Sequence, residues 1–160
     1  MTRVLLLAGG VVVLDQVTKV VVLARLAPGV PVPIFDSWLQ LTLVLNPGIA
    51  FGLLGSLPVT WRWTAAALSV VALAVLVRVA LRVLPHGGWV GRLAIGLIFG
   101  GAVGNLIDRA RFGAVVDFVD VYWRSWHWWI FNVADSAISV GVLLLALRML
   151  GDRPVSSAGS

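Results

Sequence analysis

Long apolar runs, separated by polar or Trp-rich connections, organise this chain. Val4 to Leu26, Trp63 to Leu84, Val90 to Ile107 and Phe131 to Leu150 are each predominantly apolar. At about 1.5 Å of rise per helical residue, each is long enough to cross a hydrocarbon core about 30 Å thick. The pattern predicts four transmembrane helices in one integral membrane domain over residues 1–160, ending in a polar cytoplasmic tail at 151–160. The connections run from Ala27 to Arg62, from Pro85 to Trp89 and from Asp108 to Ile130. The first span follows Arg3 as a signal peptide would, but its apolar run exceeds an h-region of about 7 to 15 residues and contains Asp15 and Lys19.

A different period appears between the spans. Leu39, Leu41 and Leu43 alternate with Gln40 and Thr42, the signature of a half-buried strand, after a stretch holding Pro28, Pro31 and Pro33. Val115 to Trp123 (VVDFVDVYW) is a second strand, rich in β-branched and aromatic residues. The expected fold is therefore an all-α integral membrane protein, four transmembrane helices carrying a small β-rich cradle on the extracytoplasmic face.

Composition narrows the function classes. With 60% hydrophobic and 12% charged residues and a mean hydropathy of +1.01, the chain is not an ordinary soluble domain, a coiled coil or a disordered segment. The absence of Cys excludes thiol nucleophiles, Cys-bound zinc and disulfides. The net charge of +5 suits anionic lipid head groups, while the Arg residues lie scattered between apolar runs and form no stripe for nucleic acid. Trp38, Trp61, Trp63, Trp89, Trp123, Trp126, Trp128 and Trp129 all fall in connections or at span ends, where indoles favour the membrane interface. Four spans place both termini on one side. The short basic turn between Arg78 and Arg92 assigns that side to the cytoplasm and the two longer connections to the outside.

Several polar residues sit where a bilayer disfavours them. Asp or Lys at the centre of an inserted helix costs about 2.5 to 3.5 kcal/mol, so Asp15 and Lys19 need partners. Four residues apart, they share a helix face, either as a structural ion pair or as a pair that shapes a site. Asn46 opens NPGIAFG, a turn or part of a site, and Asn105, Asp108 and Arg109 lie in GNLIDR at the outward end of the third span. Gly96, Gly100 and Gly104, spaced by four, form a small-residue stripe for close helix packing.

Asp117 and Asp135 both belong to the outward side, the second in the first turns of the fourth span. Singly, each reads as a strand charge or a helix cap, or as a catalytic group. Together they suggest two carboxylates sharing one proton, one activating water and the other polarising a scissile carbonyl. Ser136 and Ser139 have no nearby His, and His86 and His127 fall on opposite sides of the membrane, which argues against a Ser–His triad. Asp117, Asp120 and His127 offer metal-ligand chemistry without the spacing of a known metal motif, so no metal is expected.

DQVTK (15 to 19), NPGIAFG (46 to 52), GGAVGNLIDRARFGAVVDF (100 to 118) and FNVADSAI (131 to 138) resemble, in order and membrane context, the motifs of the lipoprotein signal peptidases, the type II signal peptidases of bacteria. The resemblance implies a four-helix aspartyl endopeptidase of the cytoplasmic (inner) membrane. Its substrate would be a diacylglyceryl-modified prolipoprotein, cut just before the lipidated Cys. It further implies that Asp117 and Asp135 are catalytic and that Asp15, Lys19, Asn46, Asn105, Arg109 and Asn132 support the pair or hold substrate. Asp120 matches no position of the family's set. The expected enzyme needs no cofactor, works as a monomer among membrane lipids and has its site near the extracytoplasmic face. An ion-coupled transporter using Asp15, Lys19, Asp117 and Asp135 is the competing class, but it would spread acidic residues through the membrane depth.

Overall fold

The computed structural model describes residues 1–47, 60–83 and 88–151. Four α-helices are long and apolar enough to cross a membrane: α1 (Thr2–Arg25), α2 (Thr60–Val83), α3 (Gly88–Phe112) and α4 (Val133–Gly151). Between them a four-stranded antiparallel sheet runs in the order β1 (Val32–Phe35), β2 (Leu39–Asn46), β3 (Val115–Trp123) and β4 (Trp126–His127). Most of the Gly-rich motif after Pro47, the centre of the tight turn at 84–87 and the polar tail at 152–160 lie outside the described residues.

Among the helix ends that differ from the hydrophobic pattern, two do so for a visible local reason. The apolar run stops at Ile107, yet α3 continues to Phe112, because Asp108 and Arg109 find partners there and the chain turns only at Gly113. Gly113 adopts φ 68°, and its N–H closes the last turn on the Arg109 carbonyl at 3.0 Å. At the start of α4, Phe131 is drawn out of the helix to exchange backbone hydrogen bonds with Val119 of β3, at 2.8 and 3.0 Å. The helix therefore begins after Asn132.

α3 is the axis of the bundle and packs against each of the other three helices. Its glycines make this possible. An added Cβ at Gly100 would stand 2.7 Å from the Ala8 carbonyl oxygen, and one at Gly104 would stand 2.6 Å from Asp15 Oδ2. The predicted small-residue stripe is thus the α1–α3 seam. Gly101, off that stripe, meets the Ala134 carbonyl and brings α4 equally close. Val4, Ala80 and Ile95 join α1, α2 and α3 at the other end, while Leu6, Leu81 and Leu143 point outward, as apolar residues facing lipid do.

The sheet sits on the ends of α1 and α3 through a core of Val22, Leu43, Val116 and Phe118. β2 and β3 are the two strands the sequence predicts. β1 and β4 are additions. Leu41 pairs with Val119 and Val44 with Asp117, so Thr42 and Leu43 together oppose the single residue Phe118 in a β-bulge. Gln40 and Asn46 are six apart and would share a face of a regular strand, yet the bulge sends them to opposite faces.

Candidate active site

The carboxylates gather at one end of the bundle, where α1 and α3 finish, α4 starts and the sheet closes over them. Asp117 enters from β3 and is 2% exposed. Its Oδ2 accepts from Asn46 Nδ2 at 2.9 Å, and its Oδ1 from Asn132 Nδ2 at 2.7 Å. The β-bulge matters here, because it turns Asn46 onto the face of β3 that carries Asp117.

Asp135 enters from α4, and its placement follows from helix capping. The Asp135 N–H donates to Asn132 Oδ1 at 2.9 Å, and the Asn132 N–H donates back to Asp135 Oδ2 at 3.3 Å. This is a reciprocal cap with Asp at the third helical position. Asp135 Oδ1 also accepts from Asn105 Nδ2 at 2.7 Å. Asp135 is therefore both a cap residue and the partner of Asp117, since Asn132 touches both carboxylates.

Burial pushes the Asp117 carboxyl up to about 7, with the nearby Asp135 charge acting in the same direction against the hydrogen bonds from Asn46 and Asn132 and the charge of Lys19. At neutral pH this group is poised between its two protonation states. That is a property expected of an acid–base catalyst rather than of a surface charge.

Beneath the two carboxylates lies a fully enclosed ionic cluster. Lys19 Nζ contacts Asp15 Oδ2 at 2.9 Å, Asp108 Oδ2 at 2.7 Å and Asn105 Oδ1 at 3.1 Å. The sequence pairs Asp15 with Lys19 but leaves Asp108 as a helix-end charge. Its signal was the three-residue spacing from Asn105 on one face of α3. Gln16 seals the cluster by donating to Asp108 Oδ1 at 2.9 Å. Arg109 donates from Nη1 to the Asn105 carbonyl at 3.3 Å and lies within electrostatic reach of Asp135 and Asp117. Its Nε is buried with no hydrogen-bond partner among the described residues.

Asp120 faces away from this site, three residues along β3 from Asp117. It is buried and accepts from Gln40 at 2.6 Å and Thr42 at 3.1 Å, with His127 Nδ1 at 3.0 Å. Asp117, Asp120 and His127 therefore do not converge. Every other residue singled out for the site (Asp15, Lys19, Asn46, Asn105, Arg109, Asn132) belongs to the connected network around Asp117 and Asp135.

Two solved structures share this architecture. Each is described as a bacterial membrane enzyme structure obtained by the in meso method. One, at 2.3 Å resolution, matches with a TM-score of 0.76 and 30% identity over 100% of this chain and 94% of that one. The other, at 1.9 Å, gives 0.76 and 32% over 96% of both. Fold and site thus define a multi-pass bacterial membrane enzyme with a buried carboxylate centre.

Residues 7–151 match the family model described as signal peptidase (SPase) II. The lipoprotein signal peptidase of Geobacter sulfurreducens is 46% identical over 142 residues, 88% of this chain and 87% of the relative. That of Syntrophus aciditrophicus is 39% identical, covering 91% of both. The chain belongs to the signal peptidase II family and is an aspartic-type peptidase of the bacterial inner membrane.

Proposed function

We propose that this peptidase removes the signal peptide of diacylglyceryl-modified prolipoproteins, cutting before the lipidated Cys, with Asp117 and Asp135 as the catalytic pair. The observation that carries this reading is the bridge through Asn132, which gives a hydrogen bond to Asp117 and exchanges two with Asp135. In the resting pair Asp117 holds the shared proton. Asp135 takes a proton from water as its oxygen attacks the scissile carbonyl, and Asp117 gives its own to the carbonyl oxygen. Collapse of the tetrahedral intermediate then breaks the C–N bond as the proton on Asp135 passes to the leaving amine and one hydroxyl of the intermediate returns its proton to Asp117, restoring the resting pair.

The other residues serve this step. Asn46, Asn105 and Asn132 hold the carboxylates by donating to them, and Arg109, whose Nε has no partner among the described residues, supplies a donor for a substrate carbonyl. An extended peptide needs such partners at membrane depth. Acyl chains on the substrate add affinity at about 0.8 kcal/mol per buried CH₂. The enzyme works as a monomer, with both termini cytoplasmic and the site toward the extracytoplasmic face. Incubating purified enzyme in detergent with lipid-modified and unmodified precursors tests the assignment. Cleavage of the modified precursor alone is expected, and equal rates on both would remove the lipid from recognition.

A further inference from the structure

The charged cluster under the catalytic pair has a directional logic of its own. A Lys ammonium can only donate, and Lys19 has three acceptors for its three protons: Asp15, Asp108 and Asn105. The contact with Asn105 fixes the amide, because only its oxygen can face the ammonium. Asn105 Oδ1 also accepts from Asn132 Nδ2 at 3.1 Å, so both of its lone pairs are used. The Asn105 NH₂ is left to face Asp135 Oδ1, at 2.7 Å. Asn132 carries the matching polarity through its own contacts, its oxygen taking the Asp135 N–H and its NH₂ reaching Asp117, the Val116 carbonyl and Asn105.

The two acidic partners of Lys19 reach the same centre by another route. Asp15 Oδ1 accepts the N–H of Ala134 at 3.0 Å, the residue before Asp135. Asp108 Oδ2 accepts the N–H of Val116 at 3.1 Å, the residue before Asp117. One ammonium thus lies at the root of three branches, each ending on a catalytic aspartate or on the peptide unit next to it. Lys19 is 2% exposed and touches neither carboxylate itself.

We propose that Lys19 is a positioning residue that sets the hydrogen-bond polarity of Asn105, holding its NH₂ as a donor to Asp135. This rests on the assignment of Asp117 and Asp135 as the catalytic pair. Without Lys19 the Asn105 oxygen keeps only the Asn132 donor, and the hold that keeps its NH₂ on Asp135 is weakened. A carboxyl whose donor is less firmly held keeps its proton to higher pH. The cost therefore falls on turnover and on the pH profile, and not only on the amount of folded enzyme.

The test is a cycle of Lys19→Met, Asn105→Ala and the double variant, assayed with lipid-modified precursor in detergent across pH. Lys19→Met is expected to lower kcat by about 10²-fold with KM little changed, and to move the pH profile upward by about one unit. In the Asn105→Ala background the same substitution should move the profile clearly less, because the branch through Asn105 is already cut and only the through-space charge of Lys19 and its other two branches remain. Equal effects in both backgrounds, or a Lys19→Met enzyme with unaltered kcat and profile, would overturn the proposal. Should Lys19→Met not fold, Lys19→Met/Asp108→Asn relieves the uncompensated charge and carries the same cycle. Failure of both to fold would make Lys19 a structural residue and end the proposal. Asp117→Asn and Asp135→Asn are assayed alongside. If either cleaves at wild-type rate the catalytic assignment fails, whereas their inactivity with an additive cycle leaves the assignment standing and removes only the role of Lys19.

Discussion

Asn132 Nδ2 donates to Asp117 Oδ1 across 2.7 Å, while the Asn132 backbone opens the helix that carries Asp135. Strand β3 and helix α4 therefore meet through one side chain. The geometry of this aspartate pair is a by-product of how α4 is capped, so the residue that begins the helix also spaces the two carboxylates.

Substituting either aspartate should separate chemistry from folding. Asp117→Asn and Asp135→Asn keep size and much of the hydrogen bonding, and each should lower cleavage by about 10²- to 10⁴-fold. The double variant should be scarcely worse, since the pair acts as a unit. Asp120→Asn is the informative contrast. Its carboxylate binds Gln40, Thr42 and His127 on the other face of β3, so thermal stability should fall while the folded enzyme retains its rate.

The raised Asp117 carboxyl sets a pH dependence of stability. Its folded value of about 7 lies above the unfolded value of about 3.9, so its contribution is complete below the latter and is lost as pH rises through 7. Thermal unfolding in detergent should show wild type losing stability over that window relative to Asp117→Asn. Activity should follow a bell whose alkaline limb falls near pH 7 and belongs to the coupled pair.

Gly104 has no room for a side chain. A methyl group there would stand 2.6 Å from Asp15 Oδ2, inside the cluster that holds Lys19. Gly104→Ala should destabilise the protein by about 1–3 kcal/mol, the usual cost of overpacking. It should also lower activity in the molecules that fold. Gly9→Ala, with nothing near its added Cβ, should do neither.

Orientation can be read by labelling, because the chain has no native Cys. Cys placed at Ser37 or Ser125 should react with a membrane-impermeant thiol reagent on intact cells. Cys at Thr2 or Gly88 should not. The reverse pattern would put the site on the cytoplasmic side.

Much of the fold was legible in the sequence because hydrophobic length and period are local signals. The four apolar runs mark α1 to α4, and Leu39 to Leu43 and Val115 to Trp123 mark the central strands. β1 escaped because its four residues are exposed and include Pro33, and β4 because it has only two. The bulge left no trace at all, since it shows only when β2 is laid against β3. Likewise Asp15 and Lys19 announce themselves as costly charges in one helix, whereas Asp108 joins them only through packing across α1 and α3. The family motifs drew the site residues together, but not the hydrogen-bond order among them.

The bulge in β2 also bears on how this strand tolerates changes of length. Loss of Thr42 would restore a regular ladder, leaving Gln40 opposite Asp120 and Asn46 opposite Val115, at the cost of one hydrogen bond to Asp120. Loss of Leu45 has no such remedy: either Asn46 leaves the face of Asp117, or the ladder slips and Leu43 leaves the core. β2 thus carries one spare residue, and a deletion there should leave an enzyme that still cleaves, while a deletion three residues later should not.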